Sequence, residues 1–427
     1  MSDRRAFLKT FGTAAGAAAL ADLATARQVV ADELRQVPRD IPLDRFVALR
    51  ERYLLDPEIL YVNHASIGTI PRMVHEARVR YQALCETNPW AYMWSDEWQE
   101  PREKVRVKAG LMLGCTSEDV AFTHNTTEGF NVLALGLPLG SGDEVLFSSL
   151  NHPGASICWQ YHGSTRGYSV RQFDFPVLDI PRFTADDVLD VYDRQITRRT
   201  RVLVFPHIDN IVGLRYPMRE LAALAHAKGV EFVAADGAQA LGMVPLDVED
   251  SGVDFYAASP HKWLQAPKGL GLLYVRRAAR DVLRSMWVTW GQERWAGTVR
   301  VFEDYGTRNL PEVIALGDAM DFQERLGTQN KEMRYRELWE AARTFVERTP
   351  GLVWRSPTTW PLSASLYAVE VEGQSSGEVF QALYRDMGAV FRAFRTQGLN
   401  TARISPNVFN SETELERLFN AMAAQAD

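Results

Sequence analysis

Val230-Glu231-Phe232-Val233-Ala234-Ala235-Asp236-Gly237-Ala238-Gln239 is an apolar, strand-like run that ends on a carboxylate, and Asp254 to Ala258 is a second such run, followed by Ser259-Pro260-His261-Lys262-Trp263. Short apolar runs bounded by turn residues read as strands buried on both faces. Similar runs recur at Glu144 to Ser148, Tyr168 to Phe173, Arg201 to Pro206 and Leu270 to Val275, with helix-like segments such as Met218 to Lys228 between several of them. This alternation predicts an α/β fold: a mainly parallel sheet with helices on both faces and a ligand site outside the carboxyl ends of the strands. Asp236 and Lys262 fall at such ends.

An amine that attacks an aldehyde must be deprotonated, which requires a lysine whose pKa is lowered by burial or by nearby cations. Lys262 is the candidate, because the chain holds seven lysines against forty arginines and a lysine inside an apolar, aromatic run stands out. A buried carboxylate at Asp236 can keep a pyridine nitrogen protonated, so that the ring absorbs the electrons of a carbanion formed at a substrate's alpha carbon. Gln239, one helical turn on, can donate to a ring hydroxyl, and Ser259 and His261 can bind phosphate oxygens. Together these residues predict an enzyme that holds pyridoxal 5'-phosphate as a Schiff base on Lys262.

In these residues the sequence resembles the class V aminotransferase family of fold type I pyridoxal phosphate enzymes, which includes cysteine desulfurases and isopenicillin N epimerase. The resemblance spans about Tyr61 to about Asn420. It carries Phe205-Pro206-His207-Ile208-Asp209-Asn210-Ile211-Val212-Gly213, then Asp236 to Gln239, Ser259 to Lys262 and Gly269-Leu270-Gly271, in the family's order. An ordered set of this kind is far more specific than any one motif. It implies a sheet of the seven-stranded type and a small α+β C-terminal domain.

The resemblance also implies roles. The run Phe122 to Asn131, with Asn125, Thr126 and Thr127, is similar to the family's phosphate cradle, where hydroxyls and free amides at a helix N-terminus meet a dianion. His152, in Asn151-His152-Pro153-Gly154, matches the residue that stacks on the cofactor ring, and Asn210 the one near the ring hydroxyl and substrate. Thr307, in Tyr305 to Asn309, resembles the segment that reaches a partner's cofactor phosphate across a homodimer, which would make the active site a two-chain structure. Arg403, in Ala402-Arg403-Ile404-Ser405, is similar to the arginine that clamps the substrate carboxylate bidentately. The segment Tyr61 to Thr69 resembles the epimerase branch, where it lines the substrate side; Asn63 and His64 are its candidates. His64 reads as a substrate contact, an acid or base, or a structural hydrogen bonder. No metal is expected.

Departures from the family are informative too. Cysteine desulfurases carry a persulfide-forming cysteine shortly before the carboxylate arginine, whereas the run Val390 to Leu399 has none. Cys85, Cys115 and Cys158 each read as small buried hydrophobes in helices or helix entries. The tryptophan-rich stretches Pro89 to Trp98 and Trp287 to Trp295 read as a substrate wall, an interface or core packing.

At the N-terminus, Asp3-Arg4-Arg5-Ala6-Phe7-Leu8-Lys9 and the alanine-rich run that follows resemble a twin-arginine signal peptide, with cleavage expected after Ala26 or at Ala19-Leu20-Ala21. The expected partner is the twin-arginine export machinery and the address periplasmic or secreted. The 427 residues, 46% hydrophobic, exceed one compact core. The expected organisation is a signal over 1–26, an arm over 27–62, a large cofactor-binding domain over 63–310 and a small C-terminal domain with its linking helix over 311–427. No apolar run reaches transmembrane length, and the mildly acidic net charge of -7 argues against nucleic acid.

The leading expectation is an aminotransferase-like enzyme acting on an amino acid or a peptide-linked primary amine. Epimerisation, carbon-sulfur lysis and tailoring of an exported peptide such as a siderophore are alternatives on the same scaffold. A catalytically silent cofactor-binding protein is the non-enzyme alternative.

Overall fold

The computed structural model describes residues 23–39, 41–95 and 97–426. Most of the expected signal peptide therefore lies outside the described residues. Residues 23–35 are helical, in a helix labelled α1 that places Leu23 and Val30 in the core.

Strand β1 (Leu60–Tyr61) precedes helices α2 (Arg72–Thr87), α3 (Pro89–Trp94) and α4 (Gln99–Leu113). Strands and helices then alternate: β2 (Val120–Thr123), α5 (Thr126–Gly136), β3 (Glu144–Ser148), α6 (Pro153–Arg166), β4 (Ser169–Phe173), α7 (Ala185–Gln195), β5 (Thr200–Pro206), α8 (Met218–Ala227), β6 (Phe232–Asp236), β7 (Phe255–Ala258) and β8 (Gly271–Val275). They build a seven-stranded sheet in the order β2-β8-β7-β6-β5-β3-β4. Only β8 runs against its neighbours, β2 and β7; the other pairs are parallel. Strands β3, β6, β7 and β8 are buried at every position, which is why they read as unbroken apolar runs. This is the fold type I architecture that the sequence predicts.

After the short α9 (Gly291–Arg294), helix α10 (Leu310–Leu326) leads into α11 (Thr328–Arg348). A four-stranded antiparallel sheet follows, in the order β12 (Arg392–Thr396), β13 (Leu399–Ile404), β10 (Tyr367–Val371), β9 (Leu352–Trp354). Helices α12 (Ser376–Met387) and α13 (Glu412–Ala423) accompany it, and its core holds Leu338, Trp339, Val369, Ile404, Leu418 and Phe419. The segment from Ala389 to Thr396 makes two strands, since β11 (Ala389–Val390) pairs with β1 while β12 pairs with β13. Through that pairing Leu60 and Val62 join the small core, whereas Leu310, Val313, Ile314 and Met320 of α10 belong to the large one. Among the described residues, no helix is long and apolar enough to cross a membrane.

A buried ion pair ties the sheet to the segment that carries Thr307. Arg106 on α4 and Glu303 are both buried and meet through two bonds of 2.8 Å. Glu303 Oε2 also accepts from Phe122 N at 2.8 Å, and Arg106 Nη1 donates to Val120 O at 2.7 Å, so the pair holds β2 at two of its residues.

Candidate active site

Asp236 ends β6, buried, with Oδ1 accepting from Ala238 N at 2.9 Å. Gly237 is required in this turn, because a Cβ there would lie 2.0 Å from the Tyr256 ring. Lys262 follows β7. Burial pulls its amine down to about 8, with Asp236 opposing and Arg403 adding to the fall. His152 responds to the same groups: desolvation holds its imidazole below the usual histidine range, Asp236 opposes, and Lys262 and Arg403 add. Asp236, Lys262, His152 and Arg403 are thus near enough to act on one another's charge. His152 also caps α6, its Nδ1 accepting from Gly154 N at 3.0 Å.

The expected phosphate residues converge at the start of α5. Ser259 Oγ lies 3.0 Å from Thr126 N and 2.8 Å from Thr126 Oγ1. Asn125 spends its Oδ1 on Glu128 N as the helix cap, at 2.9 Å. Thr127 stands over Gly154, where a Cβ would come within 2.5 Å of the Thr127 Oγ1. His261 Nδ1 is buried without a partner, and burial, helped by Lys262 and Lys268, lowers this imidazole to about 4. An orphaned buried nitrogen, hydroxyls and helix amides at one end and a buried carboxylate at the other fit a phosphate-bearing pyridine such as pyridoxal 5'-phosphate.

Arg403 on β13 is buried and strongly held. Nη1 donates to Asn210 O at 2.8 Å, and Nη2 to Asn63 Oδ1 at 2.9 Å and Ser66 Oγ at 2.5 Å. The Asn210 carbonyl is in turn placed by Asp209, whose carboxylate accepts from Ile211 N, Val212 N and Leu214 N at 2.7, 2.9 and 2.5 Å. Burial raises that carboxyl to about 6 against the pull of those amides. Sequence reasoning missed Asp209 and Ser66. The Asx-turn pattern after Asp209 was the available signal.

Three expectations change. Gln239 is not one helical turn beyond Asp236, since residues 238–240 form a turn. Its Nε2 donates to Ala65 O at 2.9 Å and its Oε1 accepts from Trp263 Nε1 at 2.8 Å, so it joins the N-terminal segment to the lysine segment. His64 is wholly buried, which fits the structural hydrogen bonder among its three readings and not the substrate contact. It is packed against Tyr61 and Phe409, its Nδ1 lies 3.3 Å from Ser405 O, and burial lowers it to about 3. Cys115 lies between the Gly114 cap of α4 and a 3-10 helix over Ser117–Asp119, and is half-buried rather than buried. Thr307 lines a cleft of ≈ 210 Å³ with Trp94, Trp290 and Arg308, and Lys262 is not among the residues that line it.

Gly68 is a further residue that the sequence did not reveal. Its N–H donates to His261 O at 2.9 Å, and a Cβ there would fall 2.0 Å from Lys262 O. Gly68→Ala is expected to push the lysine segment out of place and lower kcat/KM by about 100-fold, with thermal unfolding as the control for global damage. A variant of unchanged kcat/KM would show that this contact does not set the lysine.

The Aminotransferase class-V family model matches residues 60–418. The chain belongs to the class V aminotransferase family. Isopenicillin N epimerase of Amycolatopsis lactamdurans is 31% identical over 389 residues, covering 87% of this chain and 96% of that protein. A cysteine desulfurase of Synechococcus elongatus is 28% identical over 413 residues, 90% of this chain and 62% of that protein. Among solved structures, a C-DES mutant with glycine covalently linked to its PLP cofactor superimposes with a TM-score of 0.79 at 21% identity, covering 88% of this chain and 98% of that one. Apo cysteine desulfurase from Thermococcus onnurineus NA1 gives 0.76 at 22% identity over 88% and 97% of the two chains. The cofactor of this class V fold is pyridoxal 5'-phosphate, and the residues around Asp236 and Lys262 suit it.

Proposed function

We propose that this class V enzyme moves a proton at the alpha carbon of an amino acid or peptide-linked primary amine, with aminotransferase-like turnover as the leading outcome. The observation that carries the reading is a lysine just after the strand that pairs with the one Asp236 ends, its amine lowered to about 8 by burial and subject to the charges of Asp236 and Arg403. Bound pyridoxal 5'-phosphate supplies an electron sink for the alpha carbon. Lys262 Nζ anchors the cofactor and then, unprotonated, takes the alpha proton. Asp236 holds the pyridine nitrogen protonated, and His152 covers the ring. Thr126, Thr127, Ser259 and His261 hold the phosphate, and Arg403, preset by Asn63, Ser66 and Asn210, orients the substrate carboxylate. These roles are common to transamination and epimerisation.

Epimerisation is the second reading, favoured by the likeness to isopenicillin N epimerase along nearly the whole of that protein. A persulfide route through a protein thiol is disfavoured. Burial pushes the thiols of Cys115 and Cys158 up to about 12 and raises that of Cys85, and all three are free cysteines outside the loop before Arg403. We further propose that the enzyme is exported by the twin-arginine route, on the strength of Arg4 and Arg5. A homodimer sharing Thr307 is part of the same proposal, supported by the exposed Trp90, Trp94 and Trp290 around that segment.

Incubating the cofactor-loaded protein with D- and L-amino acids, with and without an oxo acid, tests the reaction. Oxo acid exchange supports transamination, and inversion without exchange supports epimerisation. Absence of both, together with absence of deuterium exchange at the alpha carbon, overturns alpha-proton chemistry on these substrates.

A further inference from the structure

Arg392 stands directly opposite Arg403 across the antiparallel pair β12–β13, so both side chains leave the same face of the sheet. Phe394, two residues along β12 on the same face, stands beside both, with the guanidinium carbons 5.8 Å and 5.3 Å from its ring centroid. Like charges directly opposite on neighbouring strands destabilise a sheet. Among the described residues, no carboxylate forms an ion pair with either arginine. Of the two acidic groups that act on Arg403, Asp209 is committed to backbone amides and the Tyr61 hydroxyl donates to Ile67 O. Arg403, 2% exposed, also keeps its Nε without a partner, while Arg392 is exposed. The face therefore holds two positive groups and lacks the anions that would balance them.

Arg403 acts on the pKa values of Lys262 and His152, whereas Arg392 acts on Arg403. Arg403, buried, is thus the inner cation and Arg392, exposed, the outer one, and the Phe394 ring beside them favours both. We propose that Arg392 is a second anion-binding residue of the substrate site, and that the substrate is an amino acid or peptide-linked amine with a second carboxylate beyond its alpha carbon. This rests on the reading of Arg403 as the alpha-carboxylate clamp. It adds the substrate class that the shared chemistry leaves open.

Glutarate and butyrate, which carry no amine, separate binding from turnover. Titration calorimetry on the cofactor-loaded protein is expected to show glutarate binding about tenfold or more tighter than butyrate. Arg392→Gln should bring glutarate down to the butyrate level with butyrate affinity unchanged, and Arg392→Lys, which keeps the charge but not the fork, should fall between. Equal affinities for the two acids in the unaltered protein would overturn the proposal, as would an equal loss of both in Arg392→Gln. Visible absorption of the bound cofactor, followed in the same samples, reports on the Lys262 reading separately. If that absorption is absent the parent reading fails, whereas a missing glutarate preference with absorption intact defeats Arg392 alone.

Discussion

Lys262→Ala is expected to abolish the visible absorption of the cofactor-loaded protein and to lower turnover by roughly 10⁴-fold, the upper range for a proton-transfer group. The loss should be this large because one nitrogen has two tasks, attachment and proton transfer. Its environment serves both, since burial lowers the amine to about 8, leaving a sizeable neutral fraction at physiological pH. Loading of the cofactor-free protein with pyridoxal 5'-phosphate should accelerate as pH rises through about 8 and level off above it, because only the unprotonated amine attacks the aldehyde. The folding linkage has the same direction. The lowered folded pKa makes stability rise between about pH 8 and the ordinary lysine value of 10.5, where the unfolded chain still holds the proton. Absorption and turnover retained in Lys262→Ala would remove the lysine from the mechanism.

The parts of this site that were legible in the sequence are those whose determinants are local. Strands β6 and β7 are buried on both faces, so their composition announces them, and Asp236 and Lys262 are found because they end those runs. The run around Thr126 is marked only by its resemblance to a phosphate cradle, since by itself a strand, a cap and a helix start read as an ordinary helix N-cap. What escaped depends on partners far along the chain. Gln239 is spent on Ala65 and Trp263, His64 is walled in by Phe409, and Gly68 is dictated by the carbonyl of Lys262. Arg392 and Arg403 are close in sequence, yet only the hairpin register puts them face to face. The assignment of α10 to the large core has a similar cause: its apolar positions show a helix, but not which sheet it covers.

Glu303→Ala should destabilise the protein by about 3–5 kcal/mol, the cost of leaving a buried charge without its partner. Arg106 is fully buried, and Glu303 supplies both oxygens of the fork as well as the acceptor for Phe122 N. Removing the carboxylate strands a guanidinium and a backbone donor together, with only Val120 O and the partly exposed Glu103 left to Arg106. Burial raises the Glu303 carboxyl, but Arg106 and Arg308 outweigh it, so its pKa stays below the usual range. A depressed carboxylate pKa stabilises the folded state above the unfolded value near 4.5 and ceases to do so as pH falls through the folded one. The gap between wild type and Glu303→Ala in urea unfolding should therefore be widest near neutral pH and shrink in acid. Because Phe122 and Val120 belong to the strand that ends at the Thr126 cradle, cofactor affinity should fall with stability. The paired substitution Arg106→Met with Glu303→Leu separates the two effects: it removes the stranded charge, so it should recover much of the stability, yet it leaves Phe122 N unpaired. A Glu303→Ala protein within about 1 kcal/mol of wild type at neutral pH would mean that water reaches Arg106 and that the pair does not hold the cradle in place.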